Sequence, residues 1–138
     1  MALKHSYTLL APIYDSIVSG PLDAVRQRSL ARLQSVEGKQ VLINGIGSGL
    51  DIPYLPPGPV YTGSDITPAM LKRAELRARA FPHLDIRFEV ADSQALPFED
   101  EQFDIVILHL ILAVVPSPVS ALKEACRVLK PGGRIYLF

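Results

Sequence analysis

A glycine-rich loop that directly follows a short apolar strand constrains the fold of this 138-residue chain more than any other feature. The sequence predicts the strand at residues 40–43, and Gly45, Gly47 and Gly49 follow it. Glycine turns the backbone tightly and lets it approach a ligand, because no Cβ stands in the way. A short helix predicted at 50–55 would offer unpaired N–H groups to an anionic group. The pattern favours a ligand-binding loop over an ordinary strand-to-helix turn.

The rest of the chain alternates strands with helices, which predicts a parallel sheet joined by right-handed crossovers. In such a sheet, ligands bind beyond the carboxyl ends of the strands. We expect a helical segment over 1–37 and a single nucleotide-binding core over 38–138. The expected strands are 40–43, 60–62, 84–90, 104–108 and 134–138. The expected longer helices are 22–36, one opened by Thr67 and Pro68, and one ending near Lys130, before a turn at 131–133.

Apolar spacing predicts which face of each longer helix is buried. The single cysteine, Cys126, falls on such a face, so we expect a small buried hydrophobe rather than a nucleophile. The arginines of the first helix are expected outside its apolar face. The predicted buried positions are Leu22, Val25, Leu33 and Val36; Met70, Ala74 and Phe81; and Val119, Leu122, Cys126 and Leu129.

Composition narrows the class of partner. Lysine and arginine balance aspartate and glutamate at 14 each, so a nucleic acid bound through its phosphates is not expected. The three histidines, His5, His83 and His109, have no metal-ligand spacing, and we expect no metal site. The sequence shows neither a membrane-spanning apolar run nor a signal peptide, and with one cysteine it predicts a cytoplasmic protein.

Two aspartates are expected at the carboxyl edge of the sheet. Asp65 ends the second strand about 20 residues past the first glycine, where nucleotide-binding sheets read ribose hydroxyls. Capping of the following helix is its alternative role. Asp92, followed by Ser93, leaves the third strand, and its carboxylate is suited to an adenine amino group. An ordinary turn aspartate is the alternative for Asp92.

The glycine spacing separates two classes of ligand. A dinucleotide fingerprint, GxGxxG, would place its third glycine at position 50, which is Leu50. The chain instead has GxGxG, which resembles motif I of S-adenosylmethionine methyltransferases. The chain as a whole resembles the ubiquinone/menaquinone-type class I methyltransferase family. The further segments that match are 63–71 (GSDITPAML), 91–98, 103–106 and 122–133 (LKEACRVLKPGG). Segments 11–15 (APIYD) and 49–53 (GLDIP) are similar to the phospholipid N-methyltransferase branch.

This resemblance implies a Rossmann-like α/β fold with S-adenosyl-L-methionine as methyl donor. Gly45, Gly47 and Gly49 would cradle its methionine part, and Asp65 would take the ribose. Ile66 and Met70 would flank the adenine, and Asp92 would hold its amino group. Tyr14 would close over the cofactor or serve as a core aromatic. The implied cofactor-binding residues are Tyr14, Asn44, Gly45, Gly47, Gly49, Asp65, Ile66, Met70, Asp92 and Ser93.

The chain departs from the family pattern in two places. The family usually has an acidic residue where Ile43 stands, and the neighbouring Asn44 is expected to substitute in part by hydrogen bonding. The family fold also continues beyond the fifth strand, whereas this sequence stops at Phe138. A bare apolar edge favours aggregation, so we expect a second copy of the chain to cover that strand in a homodimer.

The leading functional hypothesis is a methyltransferase acting by in-line transfer on a small apolar or lipid acceptor, with peripheral membrane contact. The apolar stretch 9–18 and the branch similarity favour a lipid. His109, after the fourth strand, is the histidine placed to remove a proton from the acceptor, although it is also suited to lining the pocket. The alternatives are a non-catalytic S-adenosylmethionine-binding or structural subunit and, less favoured, a nicotinamide-dependent oxidoreductase.

Overall fold

The computed structural model describes residues 22–109 and 115–137 of the chain. They form five parallel strands in the spatial order β3-β2-β1-β4-β5, with helices between them. The strands are β1 (Gln40–Asn44), β2 (Val60–Asp65), β3 (Asp85–Val90), β4 (Phe103–Leu108) and β5 (Leu129–Leu137). The helices are α1 (Asp23–Leu30), α2 (Pro68–Ala78) and α3 (Pro118–Val128), with a short 3-10 helix at Ile52–Tyr54. The predicted Rossmann-like parallel sheet is confirmed.

Strand alternation divides the core between the two faces of the sheet. Val41, Ile43, Ile105 and Ile107 lie in one cluster, which also includes apolar residues of α1 and α2. Leu42, Val106 and Leu108 lie in the second cluster, with Ala125 and Val128 of α3. Because successive side chains of a strand point to opposite faces, β1 and β4 are buried on both sides, as central parallel strands are.

The first helix is shorter than the predicted 22–36. It ends at Leu30, and Leu33 N then donates to Leu30 O at 3.1 Å, a turn tighter than an α-helix. Ser35 has a φ of 55°, which a continuing right-handed helix does not allow. Leu33 and Val36 are nevertheless buried, because the chain stays against the sheet as a series of turns.

The buried face of the third longer helix was predicted correctly only in part, since Leu122 and Leu129 are partly buried against the second core cluster. Ala121, Ala125 and Val128 are the buried residues of α3, whereas Val119 is 63% exposed. Cys126 is also exposed, so its prediction as a buried hydrophobe was wrong too. Small alanines let a helix approach a sheet closely, and the larger side chains are left at its flanks.

Strand β5 begins earlier than the sequence predicts. Leu129 already pairs with Phe103, and pairing resumes with Arg134 opposite Ile105. The segment expected as a turn, 131–133, is therefore an irregularity inside the strand. In the part of the chain that the structure describes, no helix is long and apolar enough to cross a bilayer.

Candidate functional site

The glycine loop leaves β1 at the carboxyl edge of the sheet. Gly45, Gly47 and Gly49 all have positive φ, at 74°, 61° and 84°. A Cβ on Gly49 would lie 2.6 Å from Cδ1 of Ile52 and 3.2 Å from Ala74 of α2, so this glycine permits close packing. A Cβ on Gly47 would meet nothing within 4 Å. The loop is thus closed against α2 at Gly49 and open at Gly47.

Asp65 connects this loop to the start of α2. Its Oδ2 accepts a hydrogen bond from Gly47 N at 2.9 Å, and its Oδ1 accepts one from Thr67 N at 2.9 Å. Burial raises the pKa of the Asp65 carboxyl, against the lowering effect of these hydrogen bonds. The backbone N–H of Ile66 and the side chain of Thr67 also interact with this carboxylate. Asp65 therefore has the helix-capping role that was weighed against ribose binding.

Asn44 and Ser93 meet at the end of β1. Ser93 Oγ donates to Asn44 Oδ1 at 2.8 Å, which brings the loop after β3 across the sheet edge. Asn44 is 1% exposed, and its Nδ2 has no hydrogen-bond partner among the described residues. Ile43, where the family usually has an acid, lies in the apolar core. A buried polar side chain with unused hydrogen-bonding capacity therefore stands beside the glycine loop.

Asp92, Ile66 and Met70 occupy three different settings. The Asp92 carboxylate accepts from Gln94 N at 2.9 Å and from Gln94 Nε2 at 3.3 Å, which is the turn role weighed for it. Met70 is buried on α2 at 1% exposure, so it has little surface to offer a ligand. Ile66 is half-buried between β2 and α2. Tyr14, the remaining predicted ligand, lies outside the described residues.

His109 belongs to a buried polar network that the sequence did not predict. Its Nδ1 lies 2.9 Å from Asp51 Oδ1, and its Nε2 lies 2.8 Å from Ser29 Oγ. Arg26 Nε donates to the same Asp51 oxygen at 2.8 Å. Arg26, which was expected outside the apolar face of the first helix, is nevertheless buried, with 4% exposure.

The one sequence signal for this network was local. Arg26 and Ser29 are three positions apart, which places them on one face of a helix, and Asp51 stands two positions after Gly49. Nothing in the sequence connects these positions to His109. In the described segments, no group of His, Cys, Asp and Glu side chains is suited to holding a metal ion.

Comparison with known proteins gives a family match and similar proteins. The profile of the methyltransferase domain family matches residues 42–137. The phosphatidylethanolamine N-methyltransferase of Cereibacter sphaeroides is 32% identical over 139 residues, covering 99% of this chain and 66% of that protein. The demethylmenaquinone methyltransferase of Tropheryma whipplei (strain Twist) is 33% identical over 140 residues, covering 98% of this chain and 57% of that protein.

The fold is also found among solved structures. The crystal structure of the [4+2]-cyclase SpnF superposes with a TM-score of 0.80 at 23% identity, covering 95% of this chain and 57% of that one. At this identity the likeness concerns the fold alone. The chain thus spans about two thirds or less of the length of each of these proteins.

Proposed function

The chain belongs to the methyltransferase domain family, and from this premise we propose that it binds S-adenosyl-L-methionine at the carboxyl edge of its sheet and transfers the methyl group to a small apolar or lipid-like acceptor. S-adenosyl-L-methionine is the cofactor that this family membership implies.

One observation carries the proposal. The hydrogen bond of 2.9 Å between Gly47 N and the Asp65 carboxylate joins the loop after β1 to the end of β2. These neighbouring strand ends are where a parallel sheet binds a nucleoside. A carboxylate there accepts hydrogen bonds from both hydroxyls of a ribose, while the open backbone at Gly47 leaves room for the rest of the ligand.

The residues present fit such a cofactor. The buried Asn44 amide has hydrogen-bonding capacity that the described protein atoms do not use, and it lies beside the glycine loop. Its position suits the polar methionine end, the role that the family gives to an acid at Ile43. In this proposal Gly45, Gly47, Gly49 and Asn44 hold the methionine end, and Asp65 holds the ribose. Ile66 contacts a face of the adenine, Asp92, with Ser93 beside it, accepts from the adenine amino group, and Tyr14 covers the outer side.

When bound, S-adenosyl-L-methionine supplies an electrophilic methyl group on a sulfonium. The chain's part is to hold donor and acceptor in line and to exclude water. Where the acceptor must lose a proton, His109 takes it. Asp51 accepts from the Nδ1–H, and the Nε2 lone pair, which lies 2.8 Å from Ser29 Oγ, is the base.

The acceptor class is inferred from the relatives. One is named for a phospholipid headgroup reaction and the other for demethylmenaquinone, and both names denote apolar or lipid acceptors. We extend that class to this chain without assigning a molecule. The proposed setting is the cytoplasm, with peripheral membrane contact and a second copy covering the edge of β5.

A non-catalytic cofactor-binding subunit is the second candidate. The observation that favours it is Ile43, which is 1% exposed in the core and offers no charge to the cofactor's ammonium group. Turnover separates the two candidates, since both bind the cofactor and only the first methylates an acceptor.

Titration calorimetry with S-adenosyl-L-methionine, S-adenosylhomocysteine and NAD tests the shared premise. We expect the first two ligands to bind and NAD to fail, because Leu50 stands where a dinucleotide loop has glycine. Failure of all three to bind would overturn both candidates, and binding of NAD alone would indicate an oxidoreductase.

Asp65→Ala should weaken S-adenosyl-L-methionine binding about tenfold or more. The variant loses a hydrogen bond to a charged group, worth about 1.5–3 kcal/mol. Asp104→Ala is the matched control, because Asp104 Oδ2 also accepts a backbone N–H, from Gln40 at 2.8 Å, at the opposite edge of the sheet. An equal loss of affinity in both variants would refute the ribose assignment.

A further inference from the structure

Four side chains from three parts of the fold form one hydrogen-bonded chain. It runs from Arg26 to Asp51, from Asp51 to His109 and from His109 to Ser29, with distances of 2.8, 2.9 and 2.8 Å. Ser29 and Arg26 belong to α1, Asp51 follows the glycine loop, and His109 follows β4. Arg26, Asp51 and His109 are buried, and Ser29 is half-buried.

The ionised Asp51 carboxylate determines which atoms donate and which accept in these hydrogen bonds. The Asp51 carboxylate only accepts hydrogen bonds when ionised, so the Nδ1 of His109 carries the proton between them. The Nε2 then presents its lone pair to the Ser29 hydroxyl, which donates. Arg26 donates to the same oxygen of Asp51 and helps to hold the carboxylate in place. A serine hydroxyl that donates to an oriented imidazole is an activated nucleophile.

Ser29 also borders a cleft. The cleft has a volume of about 450 Å³ and is lined by Ser29, Arg32, Arg134, Ile135, Tyr136 and Leu137. Two guanidinium groups give it positive charge, and the β5 side chains give it apolar surface. The Arg134 guanidinium lies 5.9 Å from the centre of the Tyr136 ring. This combination suits an anionic group attached to an apolar body.

We propose that Ser29, activated by His109 and Asp51, is the nucleophile of an acyl-transfer site that accepts esters carrying an anionic group. Ser29 Oγ forms a bond to the ester carbonyl carbon, and its proton passes to His109 Nε2. The bond from that carbon to the leaving oxygen breaks, and the leaving alkoxide takes the proton from Nε2. A water molecule then attacks the acyl-serine in the same way, which releases the acid and restores Ser29.

This site needs no methyl donor, so it is tested apart from the proposed function. The whole chain is incubated with a fluorophosphonate, which labels activated serines, and the adduct is located by peptide mass mapping. We expect one adduct at Ser29 in the folded chain and none there in the urea-unfolded chain. Ser120, whose hydroxyl pairs with Ser117 Oγ rather than an imidazole, is the internal control and should stay unlabelled.

His109→Gln tests the base. With its circular dichroism spectrum and unfolding midpoint retained, the variant should label Ser29 about a hundredfold more slowly, the lower range of a general-base contribution. Absence of a Ser29 adduct in the folded wild-type chain would overturn the proposal. An equal labelling rate in folded His109→Gln would show the network to be structural only.

Hydrolysis of two chromogenic esters tests the substrate class. The 4-nitrophenyl monoester of a dicarboxylic acid should give a kcat/KM at least severalfold above that of 4-nitrophenyl butyrate. Arg32→Gln should reduce the preference for the charged ester, measured as the ratio of the two kcat/KM values. Equal rates for the two esters in the wild-type chain would refute the anionic class.

Discussion

Arg26 and Asp51 form an ion pair that is almost fully removed from water, with side-chain exposures of 4% and 6%. Taking two charges out of water is costly, and the cost is offset only while both partners are present and hydrogen-bonded. Asp51 meets this condition by accepting from Arg26 and from His109 with the same oxygen. The pair therefore links α1 to the segment after the glycine loop, and the loss of either charged partner is expected to be strongly destabilising.

Asp51→Ala should lower the free energy of unfolding by about 3–5 kcal/mol, because it leaves the buried Arg26 guanidinium with only the longer contact to Asp23, at 3.8 Å. Urea unfolding followed by circular dichroism measures the change. Asp100→Ala is the control, since its pair with Arg127 is exposed, with 75% of the Asp100 side chain in contact with solvent. That variant should lose no more than about 1 kcal/mol. Similar losses in the two variants would contradict the buried-pair argument.

At the scale of elements, Arg127 and Glu124 of α3 form hydrogen bonds to the segment between β3 and β4. Arg127 donates to Leu96 O at 3.0 Å and to Phe98 O at 2.9 Å, while Glu124 Oε1 accepts from Leu96 N at 2.8 Å. Arg127 Nε also donates a hydrogen bond to Glu124 Oε2 at 2.7 Å, so the two side chains form an ion pair. These hydrogen bonds hold the segment between β3 and β4, which includes Ser93, the residue that donates to Asn44.

The hydrogen bond from Arg127 holds the pKa of Glu124 below its ordinary value of 4.5, and the bond from Leu96 N adds to the effect. Because the pKa is lower in the folded chain, Glu124 stabilises the fold above the unfolded-state pKa, and this stabilisation is lost as the pH falls through the folded-state pKa. Glu124→Gln should therefore be less stable than wild type at neutral pH, and the difference should vanish as the solution is acidified below pH 4.5.

Urea unfolding of both proteins across that pH range measures the difference. Glu75→Gln, on an exposed part of α2, is the matched control for removing a glutamate from a helix. A stability difference in Glu124→Gln that stays constant from neutral to acidic pH would show that the charge of Glu124 is not what fastens α3.

At the scale of the whole molecule, β5 is the outer strand of the sheet formed by the described residues, pairing with β4. Leu137, near its end, is 53% exposed. An outer strand with apolar side chains invites pairing with another chain. This is the physical basis of the proposed homodimer.

Sedimentation velocity of the wild-type chain should give twice the monomer mass. Leu137→Lys should shift the chain toward monomer, because a charge on an outer strand opposes edge-to-edge pairing. Val119→Lys provides the control, since Val119 is another exposed apolar residue, on α3, away from the strand edge. A wild-type monomer, or an equal shift in both variants, would refute an interface at β5.

The sequence by itself determined the order of strands and helices and the place of the nucleotide-type loop. Those features depend on local patterns: short apolar runs, helical spacing, glycines at positions of positive φ, and Thr67 with Pro68 at the start of α2. The position of Asp65 beside the glycine loop followed as well, since the ends of adjacent parallel strands meet at one edge of a sheet.

Only the tertiary structure decided which polar groups meet. His109 is 58 positions from Asp51 and 80 from Ser29 along the chain, and no periodicity relates such distant residues. It also decided the buried face of α3, where Ala121, Ala125 and Val128 are buried and Val119 is exposed. Local patterns report the preferences of neighbouring residues, whereas contacts between elements depend on how the elements pack, and packing is a property of the folded chain as a whole.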